Sequence, residues 1–376
     1  MFSFFSQLDV KKKFIFLFLS SLVIGFVIQS IFKGLNNSCD ILWQPTNIFW
    51  SGINHYEYQL RTRDIFLGCQ KGQYGHFIFI LFYPLTFFEW ENVKILWMIV
   101  NIILAISIPI FICRSNNLPT MTSLLILGIF LTSHPTRMTF NLGQNSLMIS
   151  FFLMLPFITL NYINKNTSLI LSGISYVKYS TGYILFLNLL VEKKYKELFL
   201  TTFLTIFGWL FYSYYTETNL IESFIDPFKF IIIDKMVRTG DLYSIMNIYL
   251  LKETNLLNKI IQLSSIIFLN IYFLYQIKDT GDKLAKLAVI CILPLIFMPH
   301  GNYDYVLLLP TLIYGIKNFK LMISKYCVYL SLYYFYFHRI VKHKIDNDMI
   351  YQNLMFIVFL IFIIFFCRHI KKLNHK

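Results

Sequence analysis

Four short stretches of this chain hold side chains able to do chemistry, and each lies beside an apolar run where an unpartnered charge would cost several kcal/mol. The first is Asp40 in NSCDILWQP, a few residues beyond the first run and flanked by Trp43 and Trp50. A carboxylate held at a membrane face can take the proton from a hydroxyl; equally, an acid there can do no more than cap a helix. The second is SHPTRMTFNLGQNS, Ser133 to Ser146, which gathers His134, Arg137, Asn141, Gln144 and Asn145. Its amides suit sugar hydroxyls or phosphate, and Gly143 lets a backbone come close. The plain alternative is a helix start capped by Asn145 or Ser146. Third comes Lys178 in GISYVKYSTG, a cation that either neutralises a lipid phosphate or reaches for the interface. Last is FMPHGNYDYVLLLP, Phe297 to Pro310, where Pro299 and Gly301 break the chain and present His300, Asn302 and Asp304 together. A lone histidine in such a turn is more often structural than functional.

The elements that position these groups follow from composition. Of the 376 residues, 57% are hydrophobic and 14% charged, against roughly 25% charged in ordinary globular chains. Apolar runs near the ~20 residues needed to cross a hydrocarbon core recur throughout, which excludes a soluble domain. Spans are expected at Phe14 to Phe32, Ile95 to Ile112, Met121 to Leu131, Leu147 to Tyr162, Leu198 to Tyr214, Ile260 to Tyr275, Leu284 to Phe297, Tyr305 to Ile316, Leu321 to Phe337 and Leu354 to Phe366. Leu169 to Leu190 reads as two short helices meeting at Lys178. The fold class is therefore an all-α polytopic membrane protein with roughly ten to twelve transmembrane helices.

The net charge of +14 lies largely in short loops such as VEKKYK and in the tail from Arg368 to Lys376. By the positive-inside rule these loops face the cytoplasm, which places both termini inside and the four polar stretches outside. Arg339, Lys342 and Lys344 run against that orientation. No nucleic-acid partner is implied, because the charge anchors the chain in the bilayer. Two long outer stretches, Lys33 to Lys94 and Thr216 to Asn258, mix aromatics with charges; FIFILFYPLTFF (Phe77 to Phe88) has about half the length of a span and suits an interfacial or re-entrant helix. Six scattered cysteines form no metal-thiolate pattern, and Cys39 and Cys69 share one loop either as a disulfide or as two thiols. A P-loop and a dinucleotide fingerprint are both absent, so cytosolic ATP is not the energy source.

In order along the chain stand an early Asp40, GINHY (Gly52 to Tyr56), Tyr83-Pro84-Leu85, an inner Arg114, NLGQNS, Lys178 after a small-residue helix, VEKKYK, and a late Pro-x-x-x-Tyr-Asp. That order resembles the polyprenol-phosphate-dependent mannosyl- and arabinofuranosyltransferases of glycosyltransferase family 87, within the GT-C superfamily, over Ser38 to Pro310. The resemblance implies a GT-C-type helical bundle with outer-face loops and a single-displacement, inverting transfer. Asp40 stands where the family keeps its base. Arg137, Lys178 or His300 would stabilise the polyprenyl-phosphate leaving group, and Gln144, Asn145, Asp304 and Tyr74 would bind donor phosphate or substrate. Tyr74-Gly75-His76 occupies the place of a frequent Tyr-Pro-Pro. The resemblance implies no nucleotide sugar, no cofactor and no obligatory metal.

Together these readings give an integral, multi-pass enzyme of the inner (plasma) membrane. It would move a sugar, mannose among the candidates, from a polyprenyl-phosphate-sugar donor to a glycolipid or glycan acceptor on the non-cytoplasmic face. A transporter or flippase of lipid-linked sugars is the rival. Transporters commonly carry paired interrupted helices, and only the segment at Lys178 is clearly interrupted here. As the base, Asp40 has rivals in Glu57, Asp64 and Asp304.

Overall fold

In a lipid environment each backbone polar group must be satisfied within its own segment, so apolar runs of this kind fold as helices. The computed structural model describes residues 10–62, 74–158, 163–233, 240–249, 256–345 and 348–374, and among them every regular element is helical. In chain order the α-helices are α1 (Val10–Asn37), α2 (Trp43–Trp50), α3 (His55–Arg61), α4 (Phe77–Leu81), α5 (Trp90–Ser115), α6 (Thr120–Thr132), α7 (His134–Leu142), α8 (Ser146–Met154), α9 (Lys165–Ser172) and α10 (Tyr179–Val191). There follow α11 (Tyr195–Tyr215), α12 (Leu220–Ile233), α13 (Leu242–Tyr249), α14 (Leu256–Ile277), α15 (Lys283–Phe297), α16 (Leu309–Lys317), α17 (Met322–Leu332), α18 (His338–Lys344) and α19 (Asp348–Asn374).

Five of these, in α1, α5, α11, α14 and α19, are long and apolar enough to cross a membrane unaided, and three shorter apolar helices span Thr120–Thr132, Ser146–Phe157 and Tyr179–Val191. Several other expected spans are composite. A 3₁₀ turn Leu155–Phe157 extends α8, Gly173–Val177 continues α9 up to Lys178, Asn302–Leu308 precedes α16, and a π-helical turn Tyr333–Phe337 follows α17. Such breaks are tolerated at membrane depth only where protein surrounds them. Around the break before α16 it does: residues 305–315 are buried. The run Phe77 to Phe88 divides into α4 and a 3₁₀ turn Tyr83–Phe87, too short to cross.

At the centre stands α15, in which every residue from Leu284 to Phe297 except Lys286 is buried. A helix apolar on all sides belongs inside a bundle, and α10, α14, α16 and α19 pack around it. Outward the long helices show apolar side chains, among them Phe18, Ile103, Phe199, Phe268 and Ile361, which suits contact with lipid. A second core lies beside the first, where α2, α3 and α4 close on α11; Phe49 stacks on Tyr212 at 5.0 Å and His55 lies between Tyr56 and Phe79.

Helix α10 runs from Lys178 to Glu192, a rise of about 20 Å, and α15 runs the opposite way beside it. The ion pairs Lys178–Asp304 and Lys286–Glu192 therefore close this helix pair at opposite ends. Cys69 and Asp64 lie outside the described residues, and with them the Cys39–Cys69 pairing and one rival base.

Candidate functional site

The site is assembled where α1 ends against α7. Gly34 is required by the closeness of that packing, because a Cβ there would stand 2.4 Å from the Phe140 carbonyl oxygen. Just beyond, the Asp40 N–H donates to the Leu142 carbonyl at 3.0 Å. Gly143 then ends α7 in the left-handed region, φ +69°, with Ile41 so near that a Cβ would meet its side chain at 2.7 Å. Glycine alone adopts that conformation without strain. The Trp97 indole N–H holds the turn by donating to the Gly143 carbonyl at 2.9 Å. Gln144, next in the chain, is thereby aimed at Asp40, and its side-chain N–H donates to Asp40 Oδ2.

Helix α8 starts immediately afterwards. Asn145 stands at its N-cap yet makes no capping hydrogen bond, and Ser146 donates its hydroxyl to Asp304 Oδ1 at 2.6 Å. The capping alternative for this stretch is therefore not what the geometry shows. Asn145 is fully buried. Its side chain lies beside the Tyr74 hydroxyl, and neither of its polar atoms makes a hydrogen bond of ordinary geometry; Gln144 Oε1 is in the same condition. A buried polar atom left unsatisfied costs about 1–3 kcal/mol, so the amides at this helix start have hydrogen-bonding capacity to offer a bound group.

Lys178 closes the other side. It is the extended residue between the 3₁₀ turn Gly173–Val177 and α10, and its Nζ donates to Asp304 Oδ1 at 2.5 Å and reaches Ser146 Oγ at 3.5 Å. Both partners are withdrawn from solvent, with side chains 12% and 3% exposed. Asp304 Oδ2 accepts the Gly301 N–H at 2.9 Å. Burial alone would push the Asp304 carboxyl up, but Lys178, Ser146 and the Gly301 N–H together hold it below the ordinary carboxylate range. The Lys178 ammonium also lies 5.0 Å from the centre of the Tyr303 ring.

Tyr74 is fixed by its backbone. Its carbonyl accepts the Tyr56 hydroxyl at 2.5 Å, and the next N–H, of Gly75, donates to the Val177 carbonyl at 2.6 Å. Burial pushes the Tyr74 and Tyr303 phenols well above the usual tyrosine range, and the charges of Asp40 and Asp304 push them further, so both stay neutral. The two tyrosines thus lie within the field of both carboxylates.

Six residues singled out by the sequence, Asp40, Tyr74, Gln144, Asn145, Lys178 and Asp304, are brought together here. His300 lies behind the late turn, where its Nδ1 is 3.1 Å from the Met298 carbonyl and its ring stands edge-on to Tyr305 at 5.1 Å. Burial pulls its imidazole below the usual histidine range. Arg137 faces elsewhere: it donates to Ser30 and Gln29 of α1 at 3.2 and 3.4 Å and lies over the Phe26 ring. Two participants were not assigned from sequence. Ser146 had only a capping role there, and Tyr303 none; their adjacency to Asn145 and Asp304 is the one signal that marks them. Among the described residues no group of three or more His, Cys, Asp or Glu is placed to hold a metal ion.

An anion placed between Lys178 and the start of α8 would meet an ammonium, amide donors and the partial positive charge of a helix N-terminus. A hydroxyl placed between Asp40 and Tyr74 would meet a carboxylate. Comparison with known families gives a match to glycosyltransferase family 87 over residues 73–299, more than half of the chain. Tyr74, Gln144, Asn145 and Lys178 fall inside the matched region, whereas Asp40 and Asp304 lie outside it and enter the site through geometry alone. No curated protein and no solved structure matches the chain.

Proposed function

The chain belongs to glycosyltransferase family 87, and we propose on that premise that this membrane glycosyltransferase takes its sugar from a polyprenyl-phosphate donor and passes it to a glycolipid or glycan hydroxyl. The observation that carries the reading is the division of labour in the site: a partly buried carboxylate, Asp40, held by the Gln144 amide, and a cation withdrawn from solvent, Lys178, with the buried amide of Asn145 in the same cluster. The acceptor oxygen attacks the anomeric carbon as Asp40 takes its proton. The bond from that carbon to the phosphate oxygen breaks, and its electron pair leaves on the polyprenyl phosphate. Lys178, the Asn145 amide and the N–H groups opening α8 meet the charge that develops there. One displacement inverts the sugar. Asp304, whose oxygens are committed to Lys178, Ser146 and Gly301, positions the lysine and is poorly placed to accept a proton. Glu57 pairs with Arg61 on the surface.

The membrane face follows the same proposal. Lys165, Lys193, Lys194 and Lys283 gather at the end of the bundle opposite Lys178, which under the positive-inside rule supports reading the site as non-cytoplasmic. Purified protein in detergent, offered a panel of polyprenyl-phosphate sugars and the corresponding nucleotide sugars, is expected to consume one of the former and release polyprenyl phosphate. Consumption of a nucleotide sugar instead would overturn the donor assignment.

A further inference from the structure

A cavity of about 390 Å³ opens at the other end of the bundle, between α9, α10, α11 and α15. It lies the length of α10 away from Lys178. Lys165, Lys194, Lys283 and Lys286 line it, against Glu192 and Glu197. The acids are engaged: Glu192 by Lys286 at 2.6 Å and Lys194 at 2.5 Å, and Glu197 by Lys165 at 2.5 Å. Two positive charges remain in excess. The N-termini of α9, α11 and α15 also open at this end and add their partial positive charge. Deeper in, the wall is apolar, formed by Phe157, Leu169, Leu185 and Leu189.

A second and independent feature is Asn188. It lines the cavity and is 2% exposed, and its side-chain carbonyl oxygen has no hydrogen-bond partner. A buried acceptor in that state calls for a donor, and a simple anion has none to give. We infer that this cavity binds an anionic phospholipid whose headgroup carries a hydroxyl, with the phosphate among the lysines, the hydroxyl donating to Asn188 and the start of an acyl chain along Leu169, Leu185 and Leu189. A free phosphate ester shares the polar chemistry and leaves the apolar wall uncovered.

The test uses the full chain in zwitterionic detergent, with thermal unfolding and native mass spectrometry as readouts. Phosphatidylglycerol is expected to stay bound one to one and raise the unfolding midpoint, and phosphatidylcholine is not. Phosphatidylethanol, of the same charge without the hydroxyl, should bind more weakly, and Asn188→Leu should abolish that difference. The exposed pair Lys165→Gln with Lys283→Gln should weaken phosphatidylglycerol binding on the order of tenfold, whereas Lys317→Gln with Lys320→Gln, the same charge change at the same end, should leave it unaltered. Equal stabilisation by phosphatidylcholine, or equal losses in the two lysine pairs, would overturn the proposal. Equal stabilisation by glycerol 3-phosphate would replace the lipid with a soluble phosphate ester and overturn the lipid assignment.

Discussion

Asp40 and Asp304 both act on Tyr74 and Tyr303, and they are held in opposite ways. Asp304 is fully buried and shares its oxygens among an ammonium, a hydroxyl and a backbone N–H, whereas Asp40 is partly exposed and is held by the neutral side-chain amide of Gln144. A carboxylate bound to a buried cation is a poor proton acceptor, because protonation would strand the cation in an apolar surrounding. A neutral amide such as that of Gln144 can orient a carboxylate without itself being a charge that protonation would strand. In the proposed mechanism the difference in partner, more than the difference in burial, is what separates the base from the positioning group.

The sharpest way to break this comparison is to make the same substitution on both sides. Asp40→Asn keeps size and hydrogen bonding but removes basicity, and turnover with a defined donor should fall by about 100- to 10,000-fold while donor affinity and unfolding temperature hold. Near-normal turnover in Asp40→Asn combined with abolished turnover in a folded Asp304→Asn protein would reverse the assignment.

Next in size is the effect of breaking the Lys178–Asp304 pair. Losing one partner of a buried ion pair typically costs about 3–5 kcal/mol, so Lys178→Met alone should lower the unfolding temperature markedly. Lys178→Met combined with Asp304→Leu removes both charges and should recover most of that stability without recovering activity. A double variant as unstable as the single one would mean that the pair contributes little and that packing at the late turn dominates.

Gln144→Ala and Asn145→Ala come third. Gln144→Ala removes the N–H that orients Asp40 together with an unpartnered Oε1, and Asn145→Ala removes a buried amide beside the Tyr74 hydroxyl, so stability should change by no more than about 1 kcal/mol. Turnover should drop by roughly tenfold or more, the usual value of a hydrogen bond to a charged group. A large loss of folded protein with unchanged specific activity would return these residues to a purely structural role.

Much of this arrangement is legible in the sequence, for reasons of chemistry. A lysine within an apolar stretch, as at Lys178, or an acid after a Pro-Gly break, as at Asp304, must find a partner, and the density of amides around Gly143 marks a turn with a purpose. The interruption at Lys178 is visible because small and polar residues replace span-forming ones there. What is hidden is pairing across long sequence separations. Nothing local distinguishes Ser146 bonded to Asp304 from Ser146 capping α8, and nothing local tells Arg137 to face α1. Span boundaries are hidden as well, since Leu147 to Tyr162 and Tyr305 to Ile316 are as apolar as true spans yet are broken by 3₁₀ turns beside Pro156 and Pro310.

Arg137 is where that blindness has the clearest consequence, and it carries the smallest expected effect. Its position four residues from Asn141 and seven from Gln144 makes it look like part of the amide cluster, but α7 ends at Leu142 and the left-handed Gly143 turns the chain before Gln144, while the Arg137 side chain leaves toward Ser30, Gln29 and Phe26. Those contacts are partly exposed, and hydrogen bonds of 3.2 and 3.4 Å to neutral groups contribute modestly. Arg137→Gln should therefore cost less than about 1 kcal/mol and leave kcat and KM for the donor within about twofold, in contrast to Lys178→Met. A tenfold rise in the KM of a long-chain donor, absent with a short-chain analogue, would show instead that the polyprenyl chain runs along the groove between α1 and α7 and that Arg137 helps hold it there, extending the cationic side of the pocket beyond Lys178.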